Sequence, residues 1–188
     1  MKYFAILMLL FVSVSYALDA GEKAADFSLK SVDGKQVSLV DYKGKNVVVI
    51  FIATRCPFSN AFNDVMAQLA KDYSAKGFTF IGINANKTEP LEEVAQHAKE
   101  HFPFTVLKDD GSKTADAYNA HVTPEAYVVD ATGTVRYHGA LGSSDNPTTD
   151  PKQANSTEIR AALDELLAGK QITKAKTKAF GCTIKRAA

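Results

Sequence analysis

The sequence predicts an α/β protein in which a central mixed β-sheet is flanked by helices on both faces. Two apolar runs rich in β-branched residues, at 46–53 and 78–86, are typical of strands that are buried on both sides. Apolar residues recur at helical spacing over 57–76, between those runs, and again over 89–102. Strands that alternate with helices in this way form one sheet through right-handed crossovers.

The remaining segments extend this pattern. The turn sequences "VDGK" and "DATG" each predict a tight connection between two strands, while Pro103 and Gly169 end the second and the last predicted helix. The other predicted elements are two short strands around 32–35, a strand over 104–109, a short helix over 112–120, a β-hairpin over 125–141 and a helix over 156–168.

The two ends of the chain differ from this domain. Residues 1–17 have the pattern of a secretory signal peptide, with Lys2, an apolar run and small residues at its end. The run is shorter than the roughly 20 residues of a membrane-spanning helix, so we expect no stable membrane insertion after cleavage. We therefore expect a domain over 18–169, a basic tail over 170–188 and a secreted or periplasmic protein.

Composition narrows the possible functions. The formal net charge is only +1, which does not favour nucleic acid or an anionic membrane surface as a partner. The 188 residues contain two cysteines, too few for a fold that depends on disulfides in an oxidising compartment. We expect packing to stabilise the domain, which leaves both cysteines available for chemistry.

Cys56 lies where the first buried strand ends and a helix begins. Unpaired backbone amides and the helix dipole favour negative charge there, so we expect a thiol that ionises more readily than a free cysteine. Arg55 adds a positive charge beside it, and Pro57 suits a first helical turn because it needs no hydrogen-bond acceptor. The alternative is that Cys56 is a small buried apolar residue.

Two segments carry a resemblance to a known superfamily. "FIATRCPFS" at 51–59 and "VTPEAYVVD" at 122–130 resemble the active-site segment and the Thr-Pro loop of thioredoxin-like proteins, in particular the secreted redoxin branch that includes the AhpC/TSA and TlpA-like proteins. "GCTIK" at 181–185 is similar to the tail of a bacterial subgroup of such redoxins. The resemblance implies a thioredoxin-like fold and a cis bond between Thr123 and Pro124, in a loop that presents backbone groups to a partner's extended chain beside the cysteine.

The chain departs from the superfamily's usual Cys-x-x-Cys motif, because Ser59 stands at the second cysteine position and cannot close a disulfide. The candidate resolving cysteine is Cys182, 126 residues beyond Cys56 in a tail with little hydrophobic pattern, for which we expect some mobility. The alternative is that Cys182 is a packed anchor for the tail.

The sequence thus favours thiol–disulfide exchange through Cys56, with protein or small-molecule thiols and disulfides as partners. A thiol peroxidase is the alternative enzyme, with peroxide as substrate. However, the threonine that peroxiredoxins place three residues before their cysteine is replaced by Ala53, and Glu125 follows Pro124 where no arginine is found. A non-catalytic binding module is the third hypothesis. Glu125 is expected either to influence the choice of partner or to be solvated.

No metal, nucleotide or flavin is implied. His97 and His101 have the spacing of a metal-binding pair on a helix, but they lack a third ligand and lie among charged residues, which favours a solvated face. His121 precedes the Thr-Pro loop and is interpreted as a structural or solvent-facing residue, with proton transfer at the thiolate as the alternative.

Overall fold

The computed structural model describes residues 18–186, and the predicted signal peptide lies outside this range. The strands are β1 (Ser28–Ser31), β2 (Gln36–Ser38), β3 (Asn46–Ile52), β4 (Phe78–Asn84), β5 (Thr105–Lys108), β6 (Val122–Thr123), β7 (Glu125–Val129), β8 (Val135–Gly139) and β9 (Cys182–Thr183). Seven of them form a sheet with the order β2-β1-β5-β4-β3-β7-β8, and the two short strands β6 and β9 pair with each other.

The centre of the sheet is parallel and its flanks are antiparallel. Strand β3 runs parallel to β4, with Ile52 opposite Asn84, and β4 runs parallel to β5. On its other side β3 pairs antiparallel with β7, where Phe51 lies opposite Glu125. Strand β3 is buried on both faces because it has a neighbour on each side and helices above and below. The predicted central mixed sheet is therefore confirmed.

Helices cover both faces of this sheet. They are α1 (Pro57–Ala61), α2 (Asn63–Ser74), α3 (Leu91–His101), α4 (Lys113–Tyr118) and α5 (Thr157–Leu167). Helices α2, α3 and α5 pack on the face that carries Val48, Ile50 and Ile52, whereas α4 packs on the opposite face. Among residues 18–186, no helix is both long and apolar enough to cross a membrane.

The single helix predicted over 57–76 is interrupted. Phe62 has φ −98° and ψ 5°, outside the helical region, and separates α1 from α2. The ring of Phe62 is buried in the core, where it meets the ring of Phe180 at a centroid distance of 5.8 Å. Apolar spacing alone does not detect this break, because both halves keep the helical period.

The C-terminal residues pack against the domain. We call residues 175–186 the strap. The strap first runs beside β8, where the amide of His138 donates to Ala175 O and the amide of Thr177 donates to His138 O, both at 3.0 Å. It then forms β9, and the carbonyl of Lys185 accepts from the amide of Lys87 at 2.7 Å. These contacts agree with the alternative that Cys182 lies in a packed tail.

Candidate active site at the Cys56 junction

Cys56 is the N-cap residue of α1, at the carboxyl end of the central strand β3. Its sulfur accepts a hydrogen bond from the amide of Ser59 at 3.4 Å, so the first turn of α1 presents a donor to the thiol. The thiol in turn donates to the carbonyl of Thr123 at 3.2 Å. Cys56 is only 2% exposed. The strap is one of the segments that cover it, because β9 pairs with β6 beside the thiol.

The structure brings the Thr-Pro loop and the two cysteines to one place. The Thr123–Pro124 peptide bond is cis. The two residues of β6 pair antiparallel with β9, so Thr123 lies opposite Cys182 and Val122 opposite Thr183. Since the Thr123 carbonyl also accepts from the Cys56 thiol, one backbone group links the helix start, the loop and the strap.

Both cysteines are free thiols, and they lie close enough for the Cys56 thiol to affect the ionisation of Cys182. Burial raises the pKa of the half-buried Cys182 thiol from 9.0 to about 11, and the adjacent Cys56 thiol contributes to that rise, while a hydrogen bond from the amide of Phe58 acts in the opposite direction. At neutral pH Cys182 is therefore protonated and acts as a neighbour of Cys56 rather than as a competing thiolate.

Gly181 allows the strap to lie directly on the Thr-Pro loop. A Cβ atom built at this position would lie 1.9 Å from Thr123 O and 2.6 Å from Thr123 C, distances that no side chain tolerates. Its φ of +149° is also a conformation that residues with side chains rarely adopt. The ring of Phe180 makes edge-to-face contacts with Phe58 and Phe62, which fixes the strap on α1 and the start of α2.

Arg55 is engaged elsewhere. Its exposed guanidinium binds the carboxylate of Glu93 on α3, with Nε–Oε1 at 2.8 Å and Nη2–Oε2 at 2.5 Å. Much of its positive charge is therefore compensated by Glu93, and its effect on the Cys56 thiol stays a prediction. The neighbouring Pro57 is exposed at the edge of the site.

Two buried polar groups hold the loop before Cys56. The Ser59 hydroxyl accepts a hydrogen bond from the amide of Ala53 at 3.1 Å, so the residue at the second cysteine position braces the end of β3. The Glu89 carboxylate, 3% exposed, accepts from the amides of Thr54 and Arg55 at 2.9 and 3.0 Å.

The sequence reasoning missed Glu89. Its position shortly after β4 could have indicated that it lies near Cys56, which follows β3, since the carboxyl ends of adjacent parallel strands meet at one edge of a sheet.

Glu125 is neither solvated nor exposed to a partner. It is 4% exposed and accepts from the amides of His121 and Val122 at 2.8 and 3.2 Å, and its other oxygen lies 2.5 Å from His138 Nε2. Burial raises its pKa, but the hydrogen bonds from His138 and the two amides outweigh this, so the pKa of Glu125 lies below its ordinary value of 4.5. The expectation that Glu125 is solvated is therefore wrong: it braces the Thr-Pro loop against which the strap pairs, and its influence on the choice of partner stays a prediction.

His121 joins these contacts through its backbone, whereas His97 and His101 lie on α3. His121 is exposed, and its backbone carbonyl accepts from the amide of Ile184 at 3.0 Å. The rings of His97 and His101 lie 4.5 Å apart on α3, and burial, followed by the neighbouring His101, lowers the pKa of His97. Within residues 18–186, no three His, Cys, Asp or Glu side chains are grouped as a metal site would require.

Comparison with known proteins agrees with this architecture. Residues 20–138 match the model of the AhpC/TSA family. A solved structure of an uncharacterized conserved protein from Geobacillus kaustophilus superimposes with a TM-score of 0.83 at 34% identity, covering 90% of this chain and 93% of that one. A thiol:disulfide interchange protein of the thioredoxin family from Chlorobium tepidum gives a TM-score of 0.62 at 27% identity, covering 77% of this chain and 95% of that one.

Two curated relatives represent two kinds of thiol chemistry. The thiol-disulfide oxidoreductase ResA of Bacillus cereus is 29% identical over 63% of this chain and 68% of its own length. The chloroplastic peroxiredoxin Q of Gentiana triflora is 32% identical over 66% of this chain and 60% of its own length.

The central mixed sheet, with a cysteine at the strand-to-helix junction and a Thr-Pro loop against it, defines a thioredoxin-like redoxin. The family match spans well over half of the chain. The chain belongs to the AhpC/TSA family.

Proposed function

We propose that this protein is a thiol–disulfide oxidoreductase in which Cys56 is the nucleophile that attacks the partner and Cys182 resolves the intermediate. The observation that supports this most directly is the position of the Cys182 thiol beside the Cys56 thiol, opposite Thr123. In the common Cys-x-x-Cys arrangement the second cysteine comes from the helix, where this chain has the buried Ser59. Here the strap supplies the second thiol from a distant part of the chain.

The proposed reaction has two steps. The Cys56 thiolate attacks a partner disulfide, so a bond forms between Cys56 and one partner sulfur while the partner's S–S bond breaks and its second sulfur leaves as a thiolate. Cys182 then loses its proton and attacks Cys56, which releases the first partner sulfur as a thiolate. The partner gains two electrons as two thiols, and the protein is left with a Cys56–Cys182 disulfide, which an external thiol reduces.

The protein's own groups support these steps. The Ser59 amide donates to the Cys56 sulfur and stabilises negative charge on it. The Phe58 amide, also in the first turn of α1, opposes the rise in the pKa of the Cys182 thiol. The likeness to ResA and to the thiol:disulfide interchange protein supports exchange as the chemistry, with thiols and disulfides as partners. The pattern of residues 1–17 supports a secreted or periplasmic location.

Peroxide reduction is the second candidate function, because peroxiredoxin Q is among the relatives. In that reaction Cys56 attacks the peroxide, an alcohol or water leaves, and Cys182 condenses with the Cys56 sulfenic acid to give the same disulfide and water.

Trapping in single-cysteine variants tests the proposal. A Cys182→Ser protein mixed with a small disulfide is expected to accumulate a mixed disulfide at Cys56, detected by mass, whereas the unaltered protein should pass on to the internal disulfide. Cys56→Ser is the matched control and should form neither species. Exchange activity that persists in Cys56→Ser would overturn the proposal. Rapid formation of sulfenic acid with hydrogen peroxide, and no mixed disulfide, would favour the peroxidase.

A further inference from the structure

The strap occupies the backbone edge that a partner would use beside Cys56. Strand β6 has only two residues, and both are paired with β9. The adjacent carbonyl of His121 accepts a hydrogen bond from the amide of Ile184. With Cys56 only 2% exposed, a partner disulfide reaches the sulfur only when the strap moves aside. Entry of a partner therefore requires the strap to leave.

The backbone pairing at this edge places few demands on sequence, because antiparallel strand addition uses main-chain groups. The side-chain positions are more selective. Position 181 admits only glycine, since a Cβ there would collide with the Thr123 carbonyl. The next residue is the cysteine that faces Cys56.

The two positions that follow the cysteine also differ. Thr183 is exposed, so its side chain is unconstrained. Ile184 is 3% exposed and belongs to the buried cluster that also contains Tyr118 and Ala120. The site thus combines a backbone edge, a glycine position, a sulfur position and a pocket for an aliphatic side chain.

We infer that the strap holds the place of a partner strand, and that the partner is an extended polypeptide segment of the form Gly-Cys-x-aliphatic whose cysteine takes the position of Cys182. This inference rests on the proposed function for the exchange chemistry at Cys56. The strap and the partner segment compete for β6, so the strap restrains reaction with disulfides that cannot replace it. When the strap returns, Cys182 again lies beside Cys56 and can resolve the mixed disulfide.

The first test measures access to Cys56 in the full chain. In a Cys182→Ser background, Gly181→Val introduces the collision with Thr123 and unseats the strap. Gly133→Val is the matched control, because Gly133 also has a positive φ, of +79°, but no atom lies within 4 Å of the position that its Cβ would take. Alkylation of Cys56 is expected to be about tenfold faster or more in the Gly181 variant than in the Gly133 variant. Equal rates would overturn the inference.

The second test does not depend on any glycine variant folding. The peptide Ala-Phe-Gly-Cys-Thr-Ile-Lys, matching 179–185, is prepared with its cysteine as a mixed disulfide with thionitrobenzoate. The Cys56 thiolate of the Cys182→Ser protein attacks the peptide sulfur, a Cys56–peptide disulfide forms, and thionitrobenzoate leaves and is measured by its absorbance. This peptide is expected to react about tenfold faster or more than versions with valine for the glycine or serine for the isoleucine.

The outcomes separate the inference from the proposed function. If all three peptides and a small thionitrobenzoate disulfide react at the same rate, the segment preference is refuted while exchange through Cys56 stands. If Cys56 of the folded Cys182→Ser protein reacts with none of these disulfides, the proposed function fails and the inference fails with it.

Discussion

Oxidation of the two free thiols to a Cys56–Cys182 disulfide should stabilise the protein strongly. The strap places Cys182 opposite Thr123, whose carbonyl accepts from the Cys56 thiol, so both thiols lie in one site. The cross-link spans 126 residues of chain, for which the loop-entropy model gives about 5 kcal/mol of stabilisation through the unfolded state. This is an upper bound, because any strain in the folded state subtracts from it.

The assay compares urea unfolding of the protein oxidised with diamide and of the same protein kept reduced. With a denaturant slope of about 2–3 kcal/mol per molar, the midpoint should move upward by about 2 M. The Cys182→Ser variant carried through the same treatment should show no shift. If mass analysis shows the internal disulfide but the midpoint is unchanged or lower, the predicted stabilisation is refuted, because strain in the folded state then cancels the loop-entropy gain. If disulfides form only between molecules, the placement of the Cys182 thiol beside the Cys56 thiol is refuted.

Three further outcomes are expected. In a Cys182→Ser background, Ser59→Cys should shorten the lifetime of a trapped mixed disulfide at Cys56, because it supplies a resolving thiol from the helix; the lost hydrogen bond to the β3 end costs about 1 kcal/mol of stability. Glu125→Gln should lower the free energy of unfolding by about 1–3 kcal/mol near neutral pH, measured by urea denaturation, since a buried acceptor of two amides is weakened. In Cys56→Ser, alkylation of Cys182 should titrate with a midpoint above 9.0, because burial, the main cause of its raised pKa, is retained.

Each of these has a control that can contradict it. Ser59→Ala should cause a similar stability loss without changing the mixed-disulfide lifetime, so a shortened lifetime in Ser59→Ala would refute the resolving role. The pKa of Glu125 is lowered in the folded state, so its stabilisation is present above pH 4.5 and is lost as the pH falls through the folded pKa. An unaltered acid-side stability profile in Glu125→Gln would show that this carboxylate contributes nothing. A Cys182 midpoint at or below 9.0 would show that the strap does not bury this thiol.

The spacing of apolar residues, together with the residues typical of turns and helix ends, made the fold and the position of Cys56 predictable from the sequence. A continuous apolar run such as 46–53 is typical of a strand that is buried on both faces, and the helical spacing of apolar residues after it predicts a helix. The junction between them then places a cysteine at a helix start regardless of the rest of the chain. The same reasoning failed at Phe62, where the helix breaks although the period continues.

The sequence by itself determined the fold class, the central strand and the residue at its end, because these depend on neighbours within a few positions. Only the tertiary structure decided that Arg55 pairs with Glu93, that Glu125 is buried against His138, and that the strap covers the thiol. Those contacts join residues of different elements, and their formation depends on how the strands and helices are arranged around the sheet. A two-residue strand such as β9 is too short to show a periodic pattern of apolar residues. Its position is set by pairing with β6 rather than by its own side chains.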